Sequence, residues 1–222
     1  KKKRKVNLKV MIPTLSGFLA FGTGIVLCIH FLTPSSLAGA GSQTFTFEAE
    51  YVYLDDFNGA GLSNSADGVD NIYGDGNEAD IANGYSNGYF LGNTYAENQI
   101  DFNFESSMAA SAKLTLRLAS ELGDLTLNND IFGVELNGEA IDYSIVVSNT
   151  TTSGKYDFAD YPINTTMNLA AGDNTVSLII KNNKLLNGNR TGAPFIDCIK
   201  ITTEAELSWE PLTDNPSRRG SI

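Results

Sequence analysis

Late in the chain, Pro194-Phe195-Ile196-Asp197-Cys198-Ile199-Lys200-Ile201 sets one carboxylate inside an apolar run. At strand period Phe195, Asp197, Ile199 and Ile201 share a face, which predicts that Asp197 lies among three large hydrophobes. A carboxylate in such a place must be protonated, paired with a cation or bound to a metal, because an isolated buried charge costs several kcal/mol. Lys and Arg are scarce beyond the N-terminus and the only histidine is His30. The partner expected is therefore a hard metal ion with oxygen ligands drawn from elsewhere in the chain. Glu48 and Glu50 are candidates for the other half of that site. They are two residues apart and leave one side of an extended strand, while Phe45, Phe47, Ala49 and Tyr51 leave the other. A solvated strand face is the alternative for the two glutamates.

Other chemistry is narrow. With no histidine beyond residue 30, the body of the chain excludes Ser-His-Asp and Cys-His catalysis and histidine metal sites. Cys198, in mid-strand, reads as an inert thiol. Carboxylate pairs for a glycosidase can always be found among 26 acids, so they carry little weight. The acidic loop Asp67 to Asp80 fails as an EF-hand: counted from Asp75, Asp80 stands where glycine is needed and Ser86 where the bidentate Glu belongs. Asn149-Thr150-Thr151, Asn164-Thr165-Thr166 and Asn189-Arg190-Thr191 match the N-glycosylation triplet, which matters only in a host that glycosylates.

The elements that must position these residues are short. From Gly41 onward the chain alternates apolar and polar residues in brief runs divided by Gly, Asn and Asp, the pattern of an all-β sandwich or barrel. Strands are predicted over Thr44 to Tyr53, Gly88 to Gly92, Gln99 to Glu105, Lys113 to Ser120, Ile131 to Leu136, Ser144 to Val147, Tyr161 to Leu169, Thr175 to Lys181 and Phe195 to Thr202. Asn137-Gly138 is a hairpin turn signal and Gly172-Asp173-Asn174 a second turn. So many strands exceed one sheet and imply two packed sheets. Asn58 to Asn87 and Asn149 to Asp160 are long for loops in a compact domain, which marks them as functional or disordered. Trp209 reads as a packing residue in a lid over the sandwich edge.

Charge divides the chain. Six of the 15 Lys and Arg fall within the first nine residues, and all 26 acids lie after residue 40. An acidic body repels nucleic acid and anionic membranes and favours cations and neutral partners. Residues 1–40 read as an export signal: a basic start, an apolar run from Val10 to Leu32, and Ala38-Gly39-Ala40 at a cleavage pattern. Retention of residues 10–32 as a membrane anchor is the alternative. The basic start also resembles a nuclear-import signal, which the hydrophobic stretch after it argues against. The organisation expected is 1–40 signal or anchor, 41–205 a single sandwich domain and 206–222 a tail or linker. Cys198 is the only cysteine beyond residue 40, so the domain forms no internal disulfide.

Phe47-Glu48-Ala49-Glu50-Tyr51, Gly84-Tyr85-Ser86-Asn87-Gly88-Tyr89-Phe90-Leu91-Gly92, Gln99-Ile100-Asp101-Phe102, Leu114-Thr115-Leu116-Arg117, Val134-Glu135-Leu136-Asn137-Gly138, Ala171-Gly172-Asp173-Asn174-Thr175-Val176 and Pro194-Phe195-Ile196-Asp197-Cys198-Ile199 occur in this order. The ordered set, spanning residues 44 to 203, resembles the carbohydrate-binding modules of families 6, 35 and 36, with their galactose-binding-like β-jelly-roll. The resemblance implies a structural calcium on acids of the first strand and the aspartate of the last, here Glu48, Glu50 and Asp197. It implies a sugar site in loops at one end of the sandwich, with Tyr89 as an aromatic platform and Tyr156 as the second aromatic; a place in the sandwich core is the alternative for Tyr89. Asn187 or Asn189 takes hydroxyls, and Arg190 is an additional candidate. Family 6 modules commonly have Trp at the second aromatic position, where this chain offers Tyr156, Phe158 and Tyr161. A flat ring meets the C–H face of a pyranose while polar groups take its hydroxyl rim.

The function expected is non-catalytic binding of a polysaccharide or glycan by a secreted, monomeric, calcium-stabilised module. It does not involve nucleic acid, and it holds a protein or a cell on its target. A small polysaccharide lyase or hydrolase on the same fold, or an adhesion domain with a vestigial sugar site, are the rival readings.

Overall fold

A computed structural model describes residues 41–52, 72–74, 84–92, 94, 96–120, 123–149, 157–181, 184–186, 189–191 and 193–211, with the backbone alone at 72–74, 184–186 and 189–191. The signal or anchor segment, most of the acidic loop from Asp67 to Asp80, Tyr156 and Asn187 lie outside these residues. The strands are β1 (Gln43–Glu48), β2 (Ile72–Gly74), β3 (Tyr89–Leu91), β4 (Gln99–Ser106), β5 (Ala110–Ala119), β6 (Leu125–Asn128), β7 (Phe132–Leu136) and β8 (Glu139–Ala140). They continue with β9 (Ser144–Val147), β10 (Ala159–Leu169), β11 (Gly172–Ile180), β12 (Lys184–Leu186), β13 (Asn189–Thr191), β14 (Phe195–Thr203) and β15 (Leu207–Ser208).

All nine predicted strands are present with ends shifted by a few residues. The longest revision is in β1, which stops at Glu48 and gives way to a 3-10 turn, Ala49–Tyr51. Glu50 therefore does not continue the strand alternation that was expected to align it with Glu48. The strands not anticipated run two to four residues, too short for a period to show.

One sheet has the order β10-β5-β14-β3-β2, with β1 also on β14; the other runs β15-β4-β11-β7-β8. The ladders are antiparallel. Alternation does the work of building the core. Leu114, Leu116 and Leu118 of β5 and Ile199 and Ile201 of β14 meet Ile100, Phe102 and Phe104 of β4 and Val176, Leu178 and Ile180 of β11 in one cluster between the sheets. The result is an all-β sandwich, as predicted.

β14 holds the sheet together. It pairs with β5 along one edge, and along the other it passes from β3, at Ile196, to β1, from Cys198 onward. Asp197 sits at that change of partner. Here the register against β5 also slips: Ile196 pairs with Leu118 and Cys198 with Arg117, so Asp197 is the extra residue of a β-bulge. The bulge overturns the expected facing. Ile196, Ile199 and Ile201 enter the main core, whereas Phe195 joins a second, aromatic cluster with Tyr85, Phe90 and Phe158. Asp197 is thus not among the three hydrophobes its spacing suggested, because one inserted residue resets the period of two.

Beyond residue 205 the chain still packs on the sandwich. β15 pairs with β4, and Trp209 lies 5.2 Å from Phe47 and 6.4 Å from Tyr51, ring centroid to centroid.

Candidate cation and carbohydrate site

Three elements converge at the bulge. The end of β1 and its 3-10 turn bring Glu48 and Glu50, β14 brings Asp197, and the turn before β3 brings Ser86 and Asn87. Asn87 and Gly88 have φ of 54° and 80°, and the Tyr89 amide donates to the Ser86 carbonyl at 3.4 Å. Two consecutive positive φ values make this a type I′ turn, the conformation for which an Asn-Gly pair is suited. The turn is fastened by its side chains. Ser86 Oγ donates to Glu48 Oε2 at 2.7 Å and to Asp197 Oδ2 at 3.0 Å, while the Ser86 amide donates to Asp197 Oδ1 at 2.9 Å. Asn87 Nδ2 donates to Glu50 Oε1 at 2.9 Å and to the Tyr51 hydroxyl at 2.6 Å.

One cation also belongs here, and sequence reasoning missed it. Arg117 Nε lies 3.1 Å from Asp197 Oδ2, and its Nη1 lies 2.8 Å from Asp160 Oδ1. The guanidinium also donates to the Gly84 carbonyl. Gly84 itself has φ of 84°, and a Cβ there would come within 3.3 Å of the Phe158 amide nitrogen. Arg117 was legible as an outward residue of an alternating strand. Its pairing with Asp197 was not, because only the β5–β14 register puts it opposite Cys198.

Arg117, with the charge of Lys200 also acting on Glu48, does not balance three carboxylates, because both cations are shared with Asp160. Asp197 and Glu50 have no exposed surface, and the Oε2 of Glu50 is buried with no hydrogen-bond partner among the described residues. Burial pushes the Glu50 carboxyl up to about 8, with the charges of Glu48 and Asp197 adding to the rise. Burial pushes Asp197 up to about 7 despite the Ser86 bonds and Arg117, and it raises Glu48 as well. Buried carboxyls whose ionisation is held back for want of positive charge, one of them with an oxygen that makes no hydrogen bond among the described residues, fit a hard divalent cation, which takes oxygen ligands and supplies that charge. Cys198 borders the cluster, its Sγ 3.8 Å from Asp197 Oδ2. Burial raises that thiol, which keeps it protonated and a poor partner for a hard ion.

Of the residues nominated for sugar, Tyr89 follows the Ser86–Gly88 turn and is half-buried against the main core. Asn189 and Arg190 lie on β13, which pairs with β12 in a separate two-stranded ribbon. Tyr156 and Asn187 fall outside the described residues. Phe158, two residues after Tyr156, packs on Tyr85 and Phe90, with ring centroids 5.8 and 5.1 Å apart.

No protein-family model and no curated protein matches the chain. Solved structures do resemble it. A GH26-CBM35 β-(1,4)-mannanase of Podospora anserina is 20% identical over 72% of this chain, with a TM-score of 0.46. This chain spans 27% of that enzyme's length. A family 35 carbohydrate-binding module from an environmental isolate is 15% identical over 75% of this chain and 98% of its own, TM-score 0.46. A family 35 module from Clostridium thermocellum is 17% identical over 72% and 97%, TM-score 0.43.

Proposed function

We propose that this chain is an exported, non-catalytic carbohydrate-binding module that holds a protein or a cell on a glycan. The observation that carries the reading is the meeting of Glu48 and Asp197, from the first and last strands, with ligand atoms within 4.8 Å of each other at the turn that leads into Tyr89, and with Glu50 joined to that turn through Asn87. Those are the residues that the resemblance to the family 6, 35 and 36 modules assigns to a structural cation, and Tyr89 is its aromatic platform. Calcium is the cation that suits the set, held by Glu48, Glu50 and Asp197, and its role is to tie β1 to β14 and set the Ser86–Gly88 turn. Bound there it neutralises buried charge and takes no part in bond making.

The sugar contacts are assigned to Tyr89 and Tyr156 as stacking rings and to Asn187, Asn189 and Arg190 as hydroxyl or carboxylate partners. A lyase or hydrolase gains no support from the cluster: Glu50 and Asp197 are buried and Glu48 partly so, and each has an oxygen engaged by Ser86 or Asn87.

A glycan-array screen of residues 41–222, with calcium and again with chelator, tests the reading alongside Tyr89→Ala. Saturable binding lost in a folded mutant is expected. Product release from any glycan would favour the enzyme instead, and a folded, calcium-loaded protein that binds no glycan would defeat the module reading.

A further inference from the structure

Three sequence triplets match the N-glycosylation sequon, and the structure separates one of them from the others. Asn149 has its backbone amide committed to Asp124 Oδ1 at 2.8 Å, and its two triplet partners lie outside the described residues. Asn189 lies on β13, in the two-stranded ribbon. Asn164, Thr165 and Thr166 lie on β10, the edge strand of the larger sheet, and all three are exposed.

The backbone there is bulged outward. Pro162 pairs with Thr115 and Thr166 with Lys113, so three residues of β10 face the single residue Leu114 of β5. Ile163 turns into the core, and Asn164 and Thr165 are thrown to the surface. Thr165 Oγ1 donates to the Asp142 carbonyl and fixes the bulge. Asn87, Asn129, Asn137 and Asn174 each spend their amides on structural hydrogen bonds. Among the described residues the Asn164 side chain makes none.

We infer that Asn164 is an N-glycan acceptor site. The transfer requires an Asn-X-Thr triplet that the transferase can bind in an extended or turned form, and the folded protein must then carry the glycan at a position where it projects into water without costing a structural hydrogen bond. Asn164 Nδ2 bonds to C1 of a lipid-pyrophosphate-linked oligosaccharide. The C1–O bond to pyrophosphate breaks, the lipid pyrophosphate leaves, and the amide gives one proton to a base of the transferase. β10 is three strand spacings from β3 in the sheet, about 14 Å, which keeps the glycan away from Tyr89, and the bulge lies opposite Leu114, whose partner on β14 is Ile201, four residues beyond Asp197. An acceptor on the edge strand also blocks edge-to-edge pairing of copies.

The test is the full chain directed into a glycosylating secretory pathway by a heterologous leader, with a second sequon added at the C-terminus as a control for transfer. Peptide mass analysis is expected to find a glycan on Asn164, absent in Asn164→Gln and in Thr166→Ala and retained in Thr166→Ser. Both loss variants change exposed side chains and should keep the parent melting temperature and glycan-array profile. Modification of the control sequon with Asn164 bare in the same molecules overturns the assignment.

Discussion

Arg117 touches two aspartates, and they behave in opposite ways. Asp160, at the rim, is partly solvated and is shared with Lys200, whose Nζ is 2.7 Å from Oδ2. Burial alone would raise its pKa, but the hydrogen bonds and charges of Lys200 and Arg117 outweigh that, and the carboxyl sits below its ordinary value. Asp197, a few ångströms inward, has the same guanidinium and two bonds from Ser86, yet its pKa rises. The cationic partner is common to both, so the difference lies in solvent and in neighbours. Asp197 has lost its water and stands beside Glu48 and Glu50, whereas Asp160 keeps water and adds Lys200 to the guanidinium that the two share. A salt bridge therefore does not by itself settle a buried carboxylate. What remains unsettled is the feature that calls for a further cation.

The largest effect is expected from removing the shared partner. Arg117→Met removes the one ion-pair partner that Asp197 has among the described residues, while Asp160 keeps Lys200 and water. Unfolding by denaturant at pH 8 with chelator should show a loss of about 3–5 kcal/mol, the range for breaking a buried pair. A loss under 1 kcal/mol would mean that Asp197 is neutral in the folded chain and that the contrast between the two aspartates is overstated.

Calcium should act on one side of the comparison only. At a hundredfold excess over its dissociation constant, a ligand of the folded state adds about 2.7 kcal/mol, seen as a rise in melting temperature. Asp197→Ala is expected to lower the melting temperature and to abolish that rise. Asp160→Asn should leave the rise intact. If Asp197→Ala still responds to calcium, the buried cluster is not the site.

Titration sharpens the contrast further. In chelator, Glu50 and Asp197 hold protons in the folded chain up to about 8 and about 7, whereas the unfolded chain releases them near 4.5 and 3.8. Between those limits the folded state binds more protons, so stability falls as pH rises, by about 1.4 kcal/mol per pH unit for each group. Asp160 runs the other way: its contribution is present above pH 3.8 and is lost as pH falls through its depressed folded value. Stability in chelator should thus decline from pH 5 to pH 8, and Glu50→Gln should flatten that decline while forfeiting the calcium response. A flat profile for the parent chain would show the cluster to be hydrated.

How much of this was legible in the sequence follows the same division. The strands that build the core announced themselves by period, as Ile100, Phe102 and Phe104 or Leu114, Leu116 and Leu118 show. Glu48, Glu50 and Asp197 could be singled out because a carboxylate in an apolar run has to be explained. Their geometry could not. The bulge at Asp197 and the 3-10 turn at Glu50 each break the alternation on which the facing argument rested, and neither has a residue signature of its own. Arg117 stood 80 residues from Asp197 in sequence, joined to it only by register. Asn87-Gly88 did carry a signal, the same Asn-Gly pair that marks the hairpin at Asn137 and Gly138, where φ is again positive at both residues. The dipeptide gives the turn, and the surroundings decide whether its asparagine knits strands, as Asn137 does with Thr175, or clamps a site, as Asn87 does with Glu50.

The smallest effect expected is at the rim. Asp160→Asn removes two exposed ion pairs but keeps a side chain of the same shape, and partly solvated pairs contribute about 0–1 kcal/mol. The substitution also leaves Arg117 with a single carboxylate, so part of the loss at Asp160 should return as a stronger hold on Asp197. Measured in chelator at pH 8, the variant should lie within about 1 kcal/mol of the parent, with the decline between pH 5 and pH 8 shallower than in the parent. A double-mutant cycle of Asp160→Asn with Asp197→Asn isolates that transfer. Strict additivity would show the two aspartates to be independent, whereas coupling between them means that the rim and the buried cluster are one network through Arg117.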